Sequence, residues 1–202
     1  MDYSFLNTNK IVPVVVLNTL QDTVPTLQGL YNGGIKVAEI TFRTSCAPDA
    51  ISLARKTFPD MMVGAGTVIN EKQCVQAINA GATFIVSPGF SSSVNKVCNR
   101  KNIPYIPGAV TPTEIMAALE EGLTVLKFFP AQNFGGVKML KALSAAFPQV
   151  SFVPTGGIDE NNMKEFLLLP FVKAIGGSFM LKGTYEEIEN KSRIAVGLTE
   201  GL

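Results

Sequence analysis

The segment Val125-Leu126-Lys127-Phe128-Phe129-Pro130 has the composition of a buried β-strand, with one lysine in its interior. Similar short apolar runs recur about every 20 to 27 residues, and each is followed by a stretch with helical spacing of apolar residues. Such near-continuous runs are typical of parallel strands buried on both faces. The predicted strands are Ile11–Leu17, Val37–Phe42, Met62–Val68, Thr83–Ser87, Pro104–Pro107, Thr124–Phe129, Ser151–Pro154 and Val172–Ile175.

Glycine, proline and capping residues divide the intervening stretches into helices. Helix ends are predicted at Gly33-Gly34, Pro59, Gly81, Gly122 and Pro148. Helix starts are predicted to follow Asn70-Glu71, Thr111-Pro112-Thr113-Glu114 and Asp159-Glu160. A short N-terminal helix is expected around Tyr3–Asn7. Eight strand–helix units predict one α/β domain over residues 1–202, a (β/α)8 TIM barrel, with an open doubly wound sheet as the alternative.

Composition narrows the classes of partner. The formal net charge is +1, only 16% of residues are charged, and like charges form no block. This pattern argues against a nucleic acid or an anionic membrane surface as the main partner. The longest apolar run near the start, Ile11–Leu17, is too short to cross a bilayer, and no signal peptide precedes it. We therefore expect a cytoplasmic protein.

The chain contains no histidine. Ser-His-Asp and Cys-His catalysis are therefore impossible, as are the histidine-rich zinc sites of many lyases and hydrolases. Proton transfer must use Asp, Glu, Lys, Tyr, Cys or water. Cys46, Cys74 and Cys98 lie far apart and are odd in number, which predicts packing residues in a reducing compartment rather than a disulfide framework.

Lys127 is the first candidate for chemistry, because the active sites of such barrels lie at the carboxyl ends of the strands. Lysine is depleted from strand interiors. Burial favours its neutral amine, which can attack a carbonyl carbon and form a Schiff base. The alternative is an edge-strand lysine whose ammonium group reaches out into water.

Glu39, Thr41 and Arg43 share one face of the second predicted strand. Without histidine, Glu39 is the expected general acid and base beside Lys127, and the planar guanidinium of Arg43 suits a substrate carboxylate. The alternative is a buried ion pair. Thr67, at the end of the third strand, is expected to help Arg43 hold the carboxylate. Otherwise it belongs to a tight turn near a helix N-cap.

Two glycine pairs end the seventh and eighth strands, in Thr155-Gly156-Gly157 and Gly176-Gly177-Ser178. Glycine lets backbone N–H groups approach an anion closely, and phosphate is commonly bound at these two strand ends in barrels. Either pair alone is also common in ordinary turns. Together they predict a phosphate site at Gly156, Gly157, Gly177 and Ser178.

Six motifs, in register from about Ile11 to Gly183, resemble one family. They are Val37-Ala38-Glu39-Ile40-Thr41-Phe42-Arg43-Thr44, Val63-Gly64-Ala65-Gly66-Thr67-Val68, Ser87-Pro88-Gly89, Leu126-Lys127-Phe128-Phe129-Pro130-Ala131, Pro154-Thr155-Gly156-Gly157-Ile158 and Ile175-Gly176-Gly177-Ser178. They are similar to motifs of the 2-keto-3-deoxy-6-phosphogluconate (KDPG) aldolases. These are class I aldolases of the Entner–Doudoroff pathway, and some also cleave 4-hydroxy-2-oxoglutarate (KHG).

The resemblance implies a role for each matching position. Lys127 corresponds to the Schiff-base lysine and Glu39 to the acid and base that works through a bound water. Residues that hold the pyruvyl carboxylate correspond to Arg43 and Thr67. Pocket residues correspond to Pro88, Phe129 and Thr155, and phosphate-binding residues to Gly156, Gly157 and Ser178. The resemblance also implies a homotrimer, no metal and no cofactor. The segment Phe179–Leu202 does not match closely.

The implied reaction is cleavage of KDPG, a phosphorylated keto acid, to pyruvate and D-glyceraldehyde 3-phosphate. The main alternative is preferential cleavage of 4-hydroxy-2-oxoglutarate to pyruvate and glyoxylate. The 6-phosphogalactonate aldolases are less similar because they lack an arginine at the Arg43 position, so that substrate is expected only as a minor activity. A phosphosugar-binding barrel without catalysis is the alternative from another class of protein, but it leaves the grouping of Lys127, Glu39 and Arg43 unexplained.

Overall fold

The structure is a computed structural model that describes residues 1–201; Leu202, the last residue of the predicted domain, lies outside the described residues. Strands and helices alternate along the chain. The strands are β1 (Ile11–Val15), β2 (Val37–Thr41), β3 (Met62–Gly66), β4 (Ile85–Val86), β5 (Tyr105–Ile106), β6 (Val125–Phe128), β7 (Ser151–Pro154) and β8 (Ile175–Gly177). The helices are α1 (Phe5–Thr8), α2 (Thr23–Asn32), α3 (Ala47–Thr57), α4 (Glu71–Asn79), α5 (Ser92–Lys101), α6 (Pro112–Glu120), α7 (Gly136–Ala146), α8 (Met163–Leu167) and α9 (Tyr185–Gly197).

The strands pair in parallel and largely in chain order. One sheet has the order β5-β4-β3-β2-β1-β8, and β6 pairs with β7 in a second sheet. Single parallel bridges join the two sheets, from Gly108 to Lys127 and from Thr155 to Gly176. The chain therefore has an α/β fold with a parallel sheet that curves as a half-barrel. It lacks the reversal of strand order that defines a doubly wound sheet.

At those two joins the strands share only a single bridge instead of a regular ladder of hydrogen bonds. The continuous (β/α)8 ring expected from the sequence is therefore not confirmed. One physical reason is proline, which has no N–H to donate. Pro104 and Pro107 flank the two-residue strand β5, and Pro154 ends β7. Strands β4 and β5 are accordingly shorter than predicted.

Strand β8 lies further along the chain than predicted. The sequence predicted Val172–Ile175, whereas Ile175, Gly176 and Gly177 pair with the start of β1. Val172 makes only an isolated bridge, to Phe152. The glycine pair Gly176-Gly177 was interpreted as part of a turn after the strand, but both residues lie within it. A Cβ at Gly176 would overlap Thr155 Oγ1. Glycine is present in this strand because the neighbouring side chain fills the space.

Two of the three predicted helix starts are confirmed. The Asn70 side chain accepts a hydrogen bond from Gln73 N and caps α4, and Thr111 with Glu114 forms a capping box at α6. The third helix, α8, follows Asp159-Glu160 as predicted but begins only at Met163.

Helices at the two ends of the chain pack onto the strand–helix units. The Phe5 ring of α1 stacks on Phe84 with centroids 4.8 Å apart, and the Tyr3 hydroxyl donates to the Tyr105 carbonyl at 2.9 Å. Helix α9, in the segment that matched the family least, packs closely against α2 through Gly29 and Gly33. Within residues 1–201, no helix has the length and apolar character needed to cross a membrane.

Candidate active site

A cavity of about 290 Å³ lies at the carboxyl ends of β1, β6, β7 and β8. It brings together most of the predicted site residues. These are Arg43, Lys127, Phe129, Thr155, Gly156, Gly157, Gly177 and Ser178. Val14, Val16 and Ile158 also line it and were missed from the sequence. The alternation of Val14 and Val16 at the end of the first strand is a signal that could have found two of them.

Lys127 and Glu39 form a buried pair at this cavity. Lys127 Nζ donates to Glu39 Oε1 at 3.2 Å and to Oε2 at 3.3 Å. The exposed fraction is 7% for the Lys127 side chain and 4% for that of Glu39. The Lys127 side chain therefore does not extend from the protein surface into bulk solvent, so the snorkelling alternative is wrong. Nζ also lies 5.4 Å from the centre of the Phe129 ring, within the range of a cation–π contact.

Gly66 makes room for the Glu39 carboxylate. Glu39 lies on β2, and its side chain passes directly over the neighbouring strand β3 at Gly66. A Cβ at that position would overlap Glu39 Oε1 and crowd its Cγ. The glycine in Gly64-Ala65-Gly66 therefore sets the direction in which Glu39 extends. The sequence suggested a tight turn here, and this clearance was missed.

Arg43 and Thr67 meet beside this pair. Arg43 Nε donates to Thr67 Oγ1 at 3.2 Å, and the rest of the exposed guanidinium faces the cavity. Thr67 has a φ of +55°, in the left-handed region that β-branched residues avoid. Such a conformation costs on the order of 1–3 kcal/mol and persists only where the surroundings impose it. The turn near a helix N-cap that was the alternative for Thr67 is also present, because Asn70, three residues later, caps α4.

The opposite part of the cavity wall is made mainly of backbone. Gly156 and Gly157 have φ values of +98° and +72°, which glycine adopts without steric cost. A Cβ at Gly157 would lie 2.7 Å from Gln132 Cβ. Among the hydrogen bonds within residues 1–201, none uses the N–H groups of Gly156, Gly157 or Ser178. These groups are therefore available to an anion.

Thr155 and Phe129 also line the cavity. Thr155 is 5% exposed, and its hydroxyl donates to the Val153 carbonyl of its own strand at 3.3 Å. Phe129 follows β6 and is half-buried. Both residues belong to the lining of the cavity.

Pro88 is the one predicted pocket residue that the structure places in a different cavity. Its side chain lines a neighbouring cavity of about 210 Å³ together with Val68, Ile69 and Phe90. The loop after β4 is held by Tyr105, whose hydroxyl accepts from Ser91 N at 3.2 Å. Burial raises the pKa of the Tyr105 phenol, so this contact is kept as a neutral hydroxyl.

The cysteines lie away from the cavity. Cys74 and Cys98 are fully buried in facing helices with their Sγ atoms 3.6 Å apart, and Cys46 is half-buried. The hydrogen bond between the two thiols raises the pKa of Cys98 and lowers that of Cys74. All three pack against the core as predicted. Within the described part of the chain, no three His, Cys, Asp or Glu side chains form a group that could hold a metal ion.

Comparisons with known proteins identify similar chains. The model of the aldolase family described as "KDPG and KHG aldolase" matches residues 3–196. The KHG/KDPG aldolase of Escherichia coli K12 is 43% identical over 199 residues, covering 96% of this chain and 93% of that protein. The 2-dehydro-3-deoxy-phosphogluconate aldolase of Treponema pallidum is 46% identical over 172 residues, covering 85% of this chain and 82% of that protein.

Solved structures agree in fold over nearly the whole chain. KDPG aldolase from Legionella pneumophila, with pyruvate captured at low pH as a covalent carbinolamine, superposes with a TM-score of 0.86 at 41% identity, covering 96% of this chain and 93% of that one. The Zymomonas mobilis enzyme with 3-phosphoglycerate has a TM-score of 0.93 at 35% identity, covering 98% of this chain and 96% of that one.

Replacing Gly66 with alanine is expected to separate Lys127 from Glu39, because the new Cβ overlaps the carboxylate. A crystal structure of Gly66→Ala should show Nζ beyond hydrogen-bond distance of Glu39. Urea unfolding should show a loss of about 1–3 kcal/mol from overpacking. Gly89→Ala is the matched control, since a Cβ there meets nothing within 4 Å. A 3.2 Å contact retained in Gly66→Ala would contradict this explanation of the glycine.

Proposed function

The chain belongs to the KDPG and KHG aldolase family, and we propose that it is a class I aldolase. Its reaction is the reversible cleavage of 2-keto-3-deoxy-6-phosphogluconate to pyruvate and D-glyceraldehyde 3-phosphate, through a Schiff base on the enzyme. The observation that carries this proposal is the buried Lys127–Glu39 pair at the cavity, with Nζ and Oε1 3.2 Å apart. A primary amine beside one carboxylate is the minimum that iminium chemistry requires when histidine is absent.

Lys127 is the proposed nucleophile. Its amine transfers a proton to Glu39 and attacks the C2 carbonyl of the substrate, forming a carbinolamine. Loss of the C2 hydroxyl as water then gives the iminium ion, and Glu39, acting through a bound water, returns the required proton. The 3.2 and 3.3 Å contacts support this role, because they put Nζ within direct reach of the base.

Carbon–carbon cleavage follows from the iminium ion. The C4 hydroxyl gives its proton to Glu39, the C3–C4 bond breaks, and its electron pair moves through C2 to the nitrogen. D-glyceraldehyde 3-phosphate leaves, and an enamine of pyruvate remains on Lys127. Glu39 then gives this proton to C3 of the enamine, and hydrolysis of the resulting iminium by water releases pyruvate and the free amine. The iminium supplies the electron sink, so we propose that no metal or organic cofactor is needed.

Two contact regions are proposed to hold the substrate ends. The Arg43 guanidinium and Thr67 hydroxyl bind the pyruvyl carboxylate, as their contact beside Lys127 supports. The N–H groups of Gly156, Gly157 and Ser178 and the Ser178 hydroxyl bind the phosphate beside Gly177, with Phe129 and Thr155 also lining the cavity. Binding energy at the phosphate can then be realised in the transition state at C3–C4. Pro88 is still proposed as a pocket residue, but the cavity that it lines is the neighbouring one.

Preferential cleavage of 4-hydroxy-2-oxoglutarate is a second candidate. The E. coli relative, 43% identical, is a KHG/KDPG aldolase. The same amine, carboxylate and Arg43 could act on this smaller acid, which has no phosphate. The glycine-rich phosphate region supports KDPG as the better substrate.

Assembly and location are proposed on other grounds. We propose that residues 1–202 form one domain whose strands close as a (β/α)8 barrel, supported by the chain order of the strands and by the bridges at Gly108 and Gly176. A homotrimer and a cytoplasmic location are proposed from the family resemblance.

Replacing Glu39 with glutamine tests its role as the acid and base. The variant keeps the shape of the side chain but cannot take a proton, so kcat for KDPG cleavage should fall by roughly 10²–10⁴. Pyruvate release can be followed with lactate dehydrogenase. Glu71→Gln is the control, because Glu71 pairs with Arg100 on the surface, and its kcat should be unchanged. A near-normal kcat for folded Glu39→Gln would remove Glu39 from the mechanism.

Replacing Ser178 with alanine tests the phosphate site and compares the two substrates. Loss of a hydroxyl contact to a charged group should raise KM for KDPG by about tenfold. KM for 4-hydroxy-2-oxoglutarate should stay the same, because that substrate has no phosphate. In the wild-type protein, kcat/KM should be higher for KDPG. Equal losses with both substrates in Ser178→Ala would contradict the assigned role.

A further inference from the structure

Thr67 is held in its left-handed conformation from both sides. Before it, the Gly66 carbonyl accepts from Phe42 N at 2.7 Å. After it, Val68 N donates to the Val86 carbonyl at 3.1 Å. The chain therefore turns sharply at one β-branched residue between two anchored neighbours. That turn puts Thr67 Oγ1 against Arg43 Nε.

Ser87 supplies a third anchor, from its side chain. Its hydroxyl donates to the Val68 carbonyl at 2.5 Å, and Ser87 is 1% exposed. The two other anchors are backbone to backbone, so Ser87 is the point at which a side-chain change can loosen the turn. The hydroxyl does not face the cavity that contains Lys127; Ser87 lines the neighbouring one.

We propose that Ser87 is a positioning residue, which fixes the backbone at Val68 so that the strained Thr67 presents its hydroxyl to Arg43 and to the substrate carboxylate. The inference rests on the proposed function, because it concerns how the pyruvyl end is bound. It goes further by assigning to a buried serine outside the cavity part of the affinity for a 2-keto acid. Ser87 acts through Thr67, so its effect depends on the Thr67 side chain.

A structural role alone gives a different expectation. Thr83 provides the comparison, since its hydroxyl donates to the Val63 carbonyl at 3.0 Å, across the same pair of neighbouring segments but at the amino-terminal end of β3. Thr83→Ala removes the same kind of bond without touching the turn at Thr67. If Ser87 only stabilised the fold, Ser87→Ala and Thr83→Ala would behave alike.

The test uses pyruvate alone in D2O. An enzyme that forms the pyruvate enamine exchanges the methyl protons of pyruvate for deuterium, and proton NMR gives kcat and KM for this exchange. We expect Ser87→Ala to raise KM for pyruvate about fivefold with kcat nearly unchanged. Ser87→Cys, which keeps a weak donor, should recover part of the affinity. Thr83→Ala should lower the melting temperature and leave KM for pyruvate at the wild-type value.

The decisive comparison is made in a Thr67→Ala background. There, adding Ser87→Ala should leave KM for pyruvate unchanged, because the hydroxyl that Ser87 positions is gone. The same increase in both backgrounds, or a wild-type KM in Ser87→Ala, would overturn the inference while the aldolase chemistry stands. Absence of exchange in the wild-type protein would instead overturn the proposed function, and the role of Ser87 with it.

Discussion

The buried contact between Lys127 and Glu39 is the constraint on which the site depends. Removing a lysine and a glutamate from water costs several kcal/mol for each ion, and their attraction recovers this only in a good geometry. The pair joins β6 to β2, which are not neighbours in the sheet, so it requires the strands to curve until these side chains meet. Because such a buried pair adds little to the stability of the fold, its presence is best explained by a role in catalysis.

The two ends of the cavity bind through different means. Beside the amine, Arg43 and Thr67 present side-chain donors, and the strained turn at Thr67 is held by three hydrogen bonds to two neighbouring segments. At the far end, glycines present backbone N–H groups whose positions follow from the strand ends. A carboxylate suits the first arrangement because guanidinium and hydroxyl donors can match its two oxygens. A phosphate suits the second because several N–H groups can surround it.

The sequence predicted the features that depend on local pattern. Alternation placed Glu39 and Arg43 on one face, an apolar run with one lysine identified Lys127, and glycine pairs identified the far end of the cavity. Features that depend on distant contacts were not accessible. The strand character of Gly176 follows from the bulk of Thr155, and the glycine at position 66 follows from the path of Glu39. Nothing near Ser87 in sequence indicates that it would contact Val68.

The most direct test of the account is covalent capture of pyruvate. The folded protein is incubated with pyruvate, reduced with sodium borohydride, digested and mapped by mass spectrometry, with Lys127→Arg as the control because a guanidinium cannot form the iminium. The proposed mechanism predicts a reduced pyruvate adduct on Lys127 and none in the control. No adduct on Lys127, or an adduct on another lysine with Lys127 unmodified, would contradict it.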